Sequence, residues 1–150
     1  MADVEYVPSP WGWVRDQVDE YERSGGTAGN TLLDTGLPIV VLTTIGRKTG
    51  TVRKSPVMRV EHDGTYALVA SVGGAPKHPV WYLNLRAQPD HVMLQDGPVA
   101  VAVAVREIDD NEKVEWWERC VAAYPPYAEY QQRTDRIIPV VLATPVESRS

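Results

Sequence analysis

The stretch Pro38-Ile-Val-Val-Leu-Thr-Thr-Ile-Gly-Arg-Lys-Thr-Gly-Thr-Val-Arg-Lys-Ser-Pro-Val-Met-Arg-Val-Glu61 reads as strand, turn, strand. Pro38–Thr44 is an apolar, β-branched run of the kind that forms a buried strand. Gly46–Gly50 supplies the turn, and Arg53–Glu61 returns. A second turn, His62-Asp63-Gly64, leads into a third strand over Thr65–Ser71. Val72–His78 is a loop, and Pro79–Gln88 is a short helix with proline in its first turn and Pro89 beyond its end. His91–Gln95 and Pro98–Ile108 are further strands around Asp96-Gly97. In the longer one, Val99, Val101, Val103 and Val105 alternate with alanines, a small-and-large pattern that suits tight barrel packing. Asp109 caps the next helix, with Glu112 at the capping-box position, and this helix is expected to bury Val114, Trp117 and Val121. Pro125-Pro126 breaks it. A short helix with Tyr127 and Tyr130 and a last strand over Ile137–Thr144 complete the chain. Upstream, Ser9-Pro10 starts a helix whose inner face is Trp11, Val14, Val18 and Tyr21.

About six strands, mostly in hairpins and without βαβ alternation, exclude a doubly wound parallel sheet. They predict a mainly β, α+β fold: a closed or nearly closed barrel with helices packed around it. At 150 residues one domain is expected, with no repeat, linker or low-complexity segment.

Charge is distributed unevenly. Thr35–Val60 holds five bases (Arg47, Lys48, Arg53, Lys54, Arg59) and no acid, while the whole chain sums to −5, so the rest sums to −10. Four of the five lie around the Gly46–Gly50 turn, where glycines expose backbone N–H groups. That is the chemistry of an anion seat for a phosphate or carboxylate. The spacing is neither a P-loop nor a dinucleotide fingerprint, because the glycines are too close and a strand follows. A solvated hairpin tip is the plainer reading of the turn taken alone.

Ser71–Asn84 is a glycine-bearing loop entering a helix, where a flat ligand could approach the backbone and Trp81 could wall a ring; Trp81 and Leu85 could equally face the core. Tyr124, Tyr127 and Tyr130 are three apart and could share one side, either lining an apolar pocket or packing in the core. No metal is expected, since His62, His78 and His91 fall at turns without ligand spacing. Ser71 and His78 lack a nucleophile-elbow motif, which argues against hydrolysis. Cys120 is the only cysteine and reads as a core residue; with no signal peptide, the expectation is a reducing cytoplasm. The acidic balance argues against nucleic-acid partners. Trp11 and Trp13 could bring the first helix to the inner face of the plasma membrane, but its acidic polar side makes that contact disfavoured.

Three separated motifs, taken together, resemble the deazaflavin-dependent nitroreductase family of actinobacteria. They are Leu42-Thr-Thr-Ile-Gly-Arg-Lys-Thr-Gly50 with Arg53 and Pro56; Ser71-x-Gly-Gly-x-x-Lys77-x-Pro79-x-Trp81-Tyr-Leu-Asn84 with Pro89; and Tyr124-Pro-x-Tyr127-x-x-Tyr130-Gln-x-x-Thr134-Asp-Arg136-x-Ile-Pro139. The resemblance covers roughly residues 36–145. It implies a split β-barrel like that of the flavin-mononucleotide oxidoreductases, the 8-hydroxy-5-deazaflavin coenzyme F420, and hydride transfer to quinones, nitroaromatics and other conjugated electrophiles. Arg47, Lys48, Thr49, Gly50 and Arg53 would hold the cofactor's phosphate and nearby tail. Val57, Ala70, Ser71, Val80, Trp81 and Asn84 would surround the deazaflavin. Tyr127 would border cofactor and acceptor, with Tyr124 and Tyr130 shaping the acceptor side; Ser71 and the three tyrosines are the candidate catalytic donors. Val72 and Met58 stand where a relative carries lysine and tyrosine, which bears on acceptor preference. Alternatives on the same fold are an FMN-dependent oxidoreductase and a non-catalytic deazaflavin carrier; an oligonucleotide-binding barrel is a further one.

Overall fold

The computed structural model describes residues 12–31, 37–70, 79–132 and 138–146. Ser9-Pro10, Trp11, Ser71, Val72, Lys77, His78, Thr134, Asp135 and Arg136 lie outside them. Eleven elements follow in order: α1 (Gly12–Ser24), β1 (Ile39–Ile45), β2 (Val52–Met58), β3 (Glu61–His62), β4 (Thr65–Val69), α2 (Val80–Ala87), β5 (Met93–Gln95), β6 (Ala100–Glu107), α3 (Asp110–Ala123), α4 (Pro126–Gln132) and β7 (Val140–Pro145). The strands form one seven-stranded sheet in the order β2-β1-β5-β6-β7-β4-β3, antiparallel at every pairing. It curls into a half-barrel with the four helices around it. The strand expected to run unbroken from Arg53 to Glu61 is two, because β2 pairs with β1 only as far as Met58 and β3 pairs instead with β4.

Strand alternation gives the sheet two differently covered faces. Val40, Leu42, Leu68, Val103, Val141 and Ala143 point to the face under α2, where Tyr82 and Leu85 close a core. Ile39, Val41, Met58, Val69, Val140 and Leu142 point to the other face, closed by Val18 and Tyr21 of α1, Trp116 and Cys120 of α3, and Tyr127 of α4.

The α1 helix is fixed by more than apolar contact. The Tyr21 side chain is 2% exposed; its hydroxyl donates to the Gln95 carbonyl at 3.2 Å and accepts the Gly97 N–H at 2.8 Å. Beyond the helix, a Cβ on Gly26 would lie 2.9 Å from Gly97 Cα, so only glycine lets this turn meet the β5–β6 turn. Nearby, Asp96 receives Arg59 Nε at 2.9 Å and the Tyr66 hydroxyl at 2.7 Å.

Two sequence expectations need correction. In α3 the inner face carries Trp116 and Cys120, while Val114 is 70% exposed and Trp117 and Val121 are only partly buried. Adjacent tryptophans allow two helical phases, and the packing selects the one that buries Cys120. In β6, Val103 is buried but Val99 and Val101 are exposed. The early part of that strand borders only the three-residue β5, so the valine–alanine alternation is barrel packing in its second half alone. The Asp109 cap forms as expected, accepting the Glu112 N–H at 3.0 Å. The Glu112 carboxylate, however, forks with Arg106 at 2.7 and 2.8 Å rather than turning back to the cap.

Burial also sets an alkaline limit. It pushes the Cys120 thiol up to about 12 from 9.0, and the phenols of Tyr66 and Tyr124 up to about 12 from 10.0, with Asp96 and Tyr130 respectively adding to the effect. A folded-state pKa above the unfolded one contributes stability that is complete below the unfolded value and lost as pH rises through the folded value. Denaturant midpoints should therefore fall between pH 9 and about 12. In the same protein at neutral pH, Cys120 should resist thiol reagents until the chain unfolds.

Candidate cofactor site at the basic turn

The β1–β2 hairpin tip is braced from within. The Gly46 N–H donates to the Thr51 carbonyl at 2.7 Å, and the Gly50 N–H to the Gly46 carbonyl at 2.8 Å. The Thr49 and Thr51 hydroxyls meet at 2.7 Å. Gly50 has φ +71, a left-handed conformation, and a Cβ on Gly46 would lie 2.7 Å from Thr49 Oγ1. Both glycines are therefore built into the turn. One bond ties the tip to the helix beneath it: Asn84 Oδ1 accepts the Arg47 N–H at 3.0 Å.

Between the tip and the start of α2 lies an open cavity of about 280 Å³, lined by Gly46, Arg47, Lys48, Thr49, Arg53, Val80 and Asn84. It gathers six of the expected cofactor residues: Arg47, Lys48, Thr49, Arg53, Val80 and Asn84. Gly50 is at the tip itself. Val57, Ala70 and Trp81 belong to the core under α2, on the same face. Ser71 lies outside the described residues.

The register decides which bases the cavity receives. Arg53 sits opposite Thr44, and Lys54 opposite Thr43, so the two neighbours point to opposite faces. Lys54 turns to α1 and pairs with Glu22 at 2.5 Å. Arg59 is held by Asp96. Of the five bases in the segment, Arg47, Lys48 and Arg53 thus line the cavity, and none of these three has an ion-pair partner among the described residues. The seat foreseen from charge is therefore narrower than the segment, with two cations spent on the fold.

The three tyrosines come together, but elsewhere. Ring centroids lie 4.9 Å apart for Tyr124 and Tyr127, 6.0 Å for Tyr124 and Tyr130, and 6.2 Å for Tyr127 and Tyr130. The Tyr124 and Tyr130 hydroxyls are 3.0 Å apart. Tyr127 is buried among the α1 and α3 residues, with Met58 in the same cluster. The described residues do not place Tyr127 on the basic cavity, so the two halves of the expected site occupy opposite faces of the sheet. Among the described residues there is no cluster of metal-ligating side chains, and no helix is long and apolar enough to cross a membrane.

The profile of the F420H2-dependent quinone reductase family matches residues 13–145. The chain belongs to this family. An F420H2-dependent quinone reductase of Mycobacterium tuberculosis is 36% identical over 110 residues, which are 71% of this chain and 73% of the relative. Among solved structures, one titled an F420-H2 dependent reductase, FDR-A, is 51% identical, covers 75% of this chain and 97% of its own, and superposes with a TM-score of 0.66. Another, titled a domain-swapped dimer, is 49% identical over 90% of this chain and 99% of its own, with a TM-score of 0.68. The protein is thus an oxidoreductase of the split-barrel type whose family cofactor is F420; the FMN alternative finds no support among these relatives. The family match also takes in α1, which the sequence motifs had left outside.

Proposed function

We propose that this chain reduces quinones, nitroaromatics and related conjugated electrophiles with hydride from reduced F420. One observation carries the reading. Three cations without carboxylate partners converge with a glycine turn on one open cavity, beside the apolar wall that α2 begins. That donor set fits a ligand with an anionic arm and a flat apolar body.

When bound, F420 supplies the hydride. The chain supplies the rest. Arg47, Lys48 and Arg53 neutralise the anionic arm, and the turn offers its N–H groups. Val57, Ala70, Val80 and Trp81 form the wall for the ring, with Asn84 beside it. Ser71 and Tyr127 are the candidate donors to the acceptor oxygen on which charge develops, and Tyr124 and Tyr130 are candidate sources of a proton. Because the Tyr124 phenol is held up at about 12, it remains protonated through the neutral range and serves as a donor, not a base. The buried lone thiol of Cys120 suits a reducing cytoplasm.

Mixing the purified protein with reduced F420 and menadione, and following reoxidation, tests the reaction. Turnover with menadione is expected, with a nitroaromatic as the second acceptor. Binding of F420 without reoxidation by any quinone or nitro compound would leave a carrier in place of an enzyme.

A further inference from the structure

Asn84 is 3% exposed, yet it lines the basic cavity. Its Oδ1 is committed to the Arg47 N–H. Only the oxygen of a side-chain amide can accept from a backbone N–H, so this bond fixes the amide's orientation. The NH2 end has no hydrogen-bond partner among the described residues, and it is not sealed inside the protein. A near-buried amide held at one end and unpaired at the other, at a cavity wall, is a donor awaiting an acceptor.

We propose that Asn84 is a two-ended positioning residue. Its oxygen sets the position of the Arg47 backbone, and through it the cationic tip, relative to α2. Its NH2 donates to an oxygen of the bound cofactor, either a phosphate oxygen of the arm or a carbonyl of the ring. This rests on the F420 placement proposed above. The tip's other backbone bonds are internal to the hairpin, so Asn84 is the link that carries α2's position to the cations. Aspartate at position 84 keeps the accepting oxygen and loses the donor; alanine loses both.

The clamp can be read in the wild-type protein without cofactor. A scalar coupling across the hydrogen bond, from Arg47 nitrogen to the Asn84 side-chain carbonyl carbon, is expected by NMR; its absence overturns the clamp. Arg47 amide exchange should stay slow in Asn84→Asp and speed up about tenfold or more in Asn84→Ala. Both variants should bind F420 about tenfold or more weakly by tryptophan quenching, so that aspartate rescues Arg47 protection and leaves affinity unrescued. Wild-type affinity in Asn84→Asp overturns the donor. Repeating the titration with the deazaflavin nucleoside that lacks the phosphate arm separates the two oxygens: a retained loss assigns the ring, a vanished one the arm. If wild-type protein fails to bind F420, the cofactor placement and the donor fall together, while the coupling and exchange data still judge the clamp.

Discussion

Alanine at Arg53 is expected to weaken F420 binding by about 1–3 kcal/mol, the range for a charge-assisted hydrogen bond, and alanine at Lys48 by an amount within the same range. Arg53 is half-buried in the cavity wall, so its contact with an anion is poorly screened; Lys48 is exposed, and its share should shrink as salt is raised towards a Debye length of about 10 Å. Lys54→Ala is the informative control. It removes an equal charge one residue away, but from the α1 face, where Glu22 already neutralises it. Its effect should appear as a loss of stability of at most about 1 kcal/mol, with cofactor affinity close to wild type. Fluorescence titration of the three variants decides the matter. Equal losses for Lys54 and Arg53 would mean that the cofactor senses overall charge and not the cavity.

Tyr21→Ala is expected to destabilise the protein by about 3–5 kcal/mol, the usual cost of deleting a buried aromatic ring. Tyr21→Phe isolates the hydroxyl. It leaves the Gly97 N–H without its acceptor and takes one donor from the Gln95 carbonyl, at a cost of about 1–3 kcal/mol. Since the ring is retained, the difference between the two variants separates packing from hydrogen bonding. Urea unfolding followed by tryptophan emission measures both. A phenylalanine variant as stable as wild type would show that water satisfies the β5–β6 turn equally well.

The charge segregation, the hairpin and the order of elements were legible because each is local. Thr43–Lys54 and its neighbours follow from a glycine turn between two β-prone runs, and the turn's own chemistry closes it. What the sequence did not disclose depends on partners far along the chain. Nothing near Lys54 identifies Glu22, 32 residues away, as its counter-ion. Nothing near Arg47 points to Asn84, 37 residues on. The α3 face was misplaced by one residue because Trp116 and Trp117 both satisfy a helical period, and only the packed core distinguishes them. The tyrosines were correctly foreseen as one group. Their separation from the basic cavity could not be seen, because it depends on which face of a curled sheet receives α4.

The opposed orientations of Arg53 and Lys54 make the hairpin sensitive to parity. Inserting or deleting a single residue between Gly50 and Arg53, with β2 sliding in register, would exchange the two sets of side chains: Lys54 and Met58 would move to the α2 side, Arg53 and Val57 to the α1 side. The net charge would be unchanged while the cavity lost its guanidinium. Length variation that preserves the site should therefore come in steps of two at this tip, so an odd gap in an aligned relative marks a chain whose anion seat has been rebuilt.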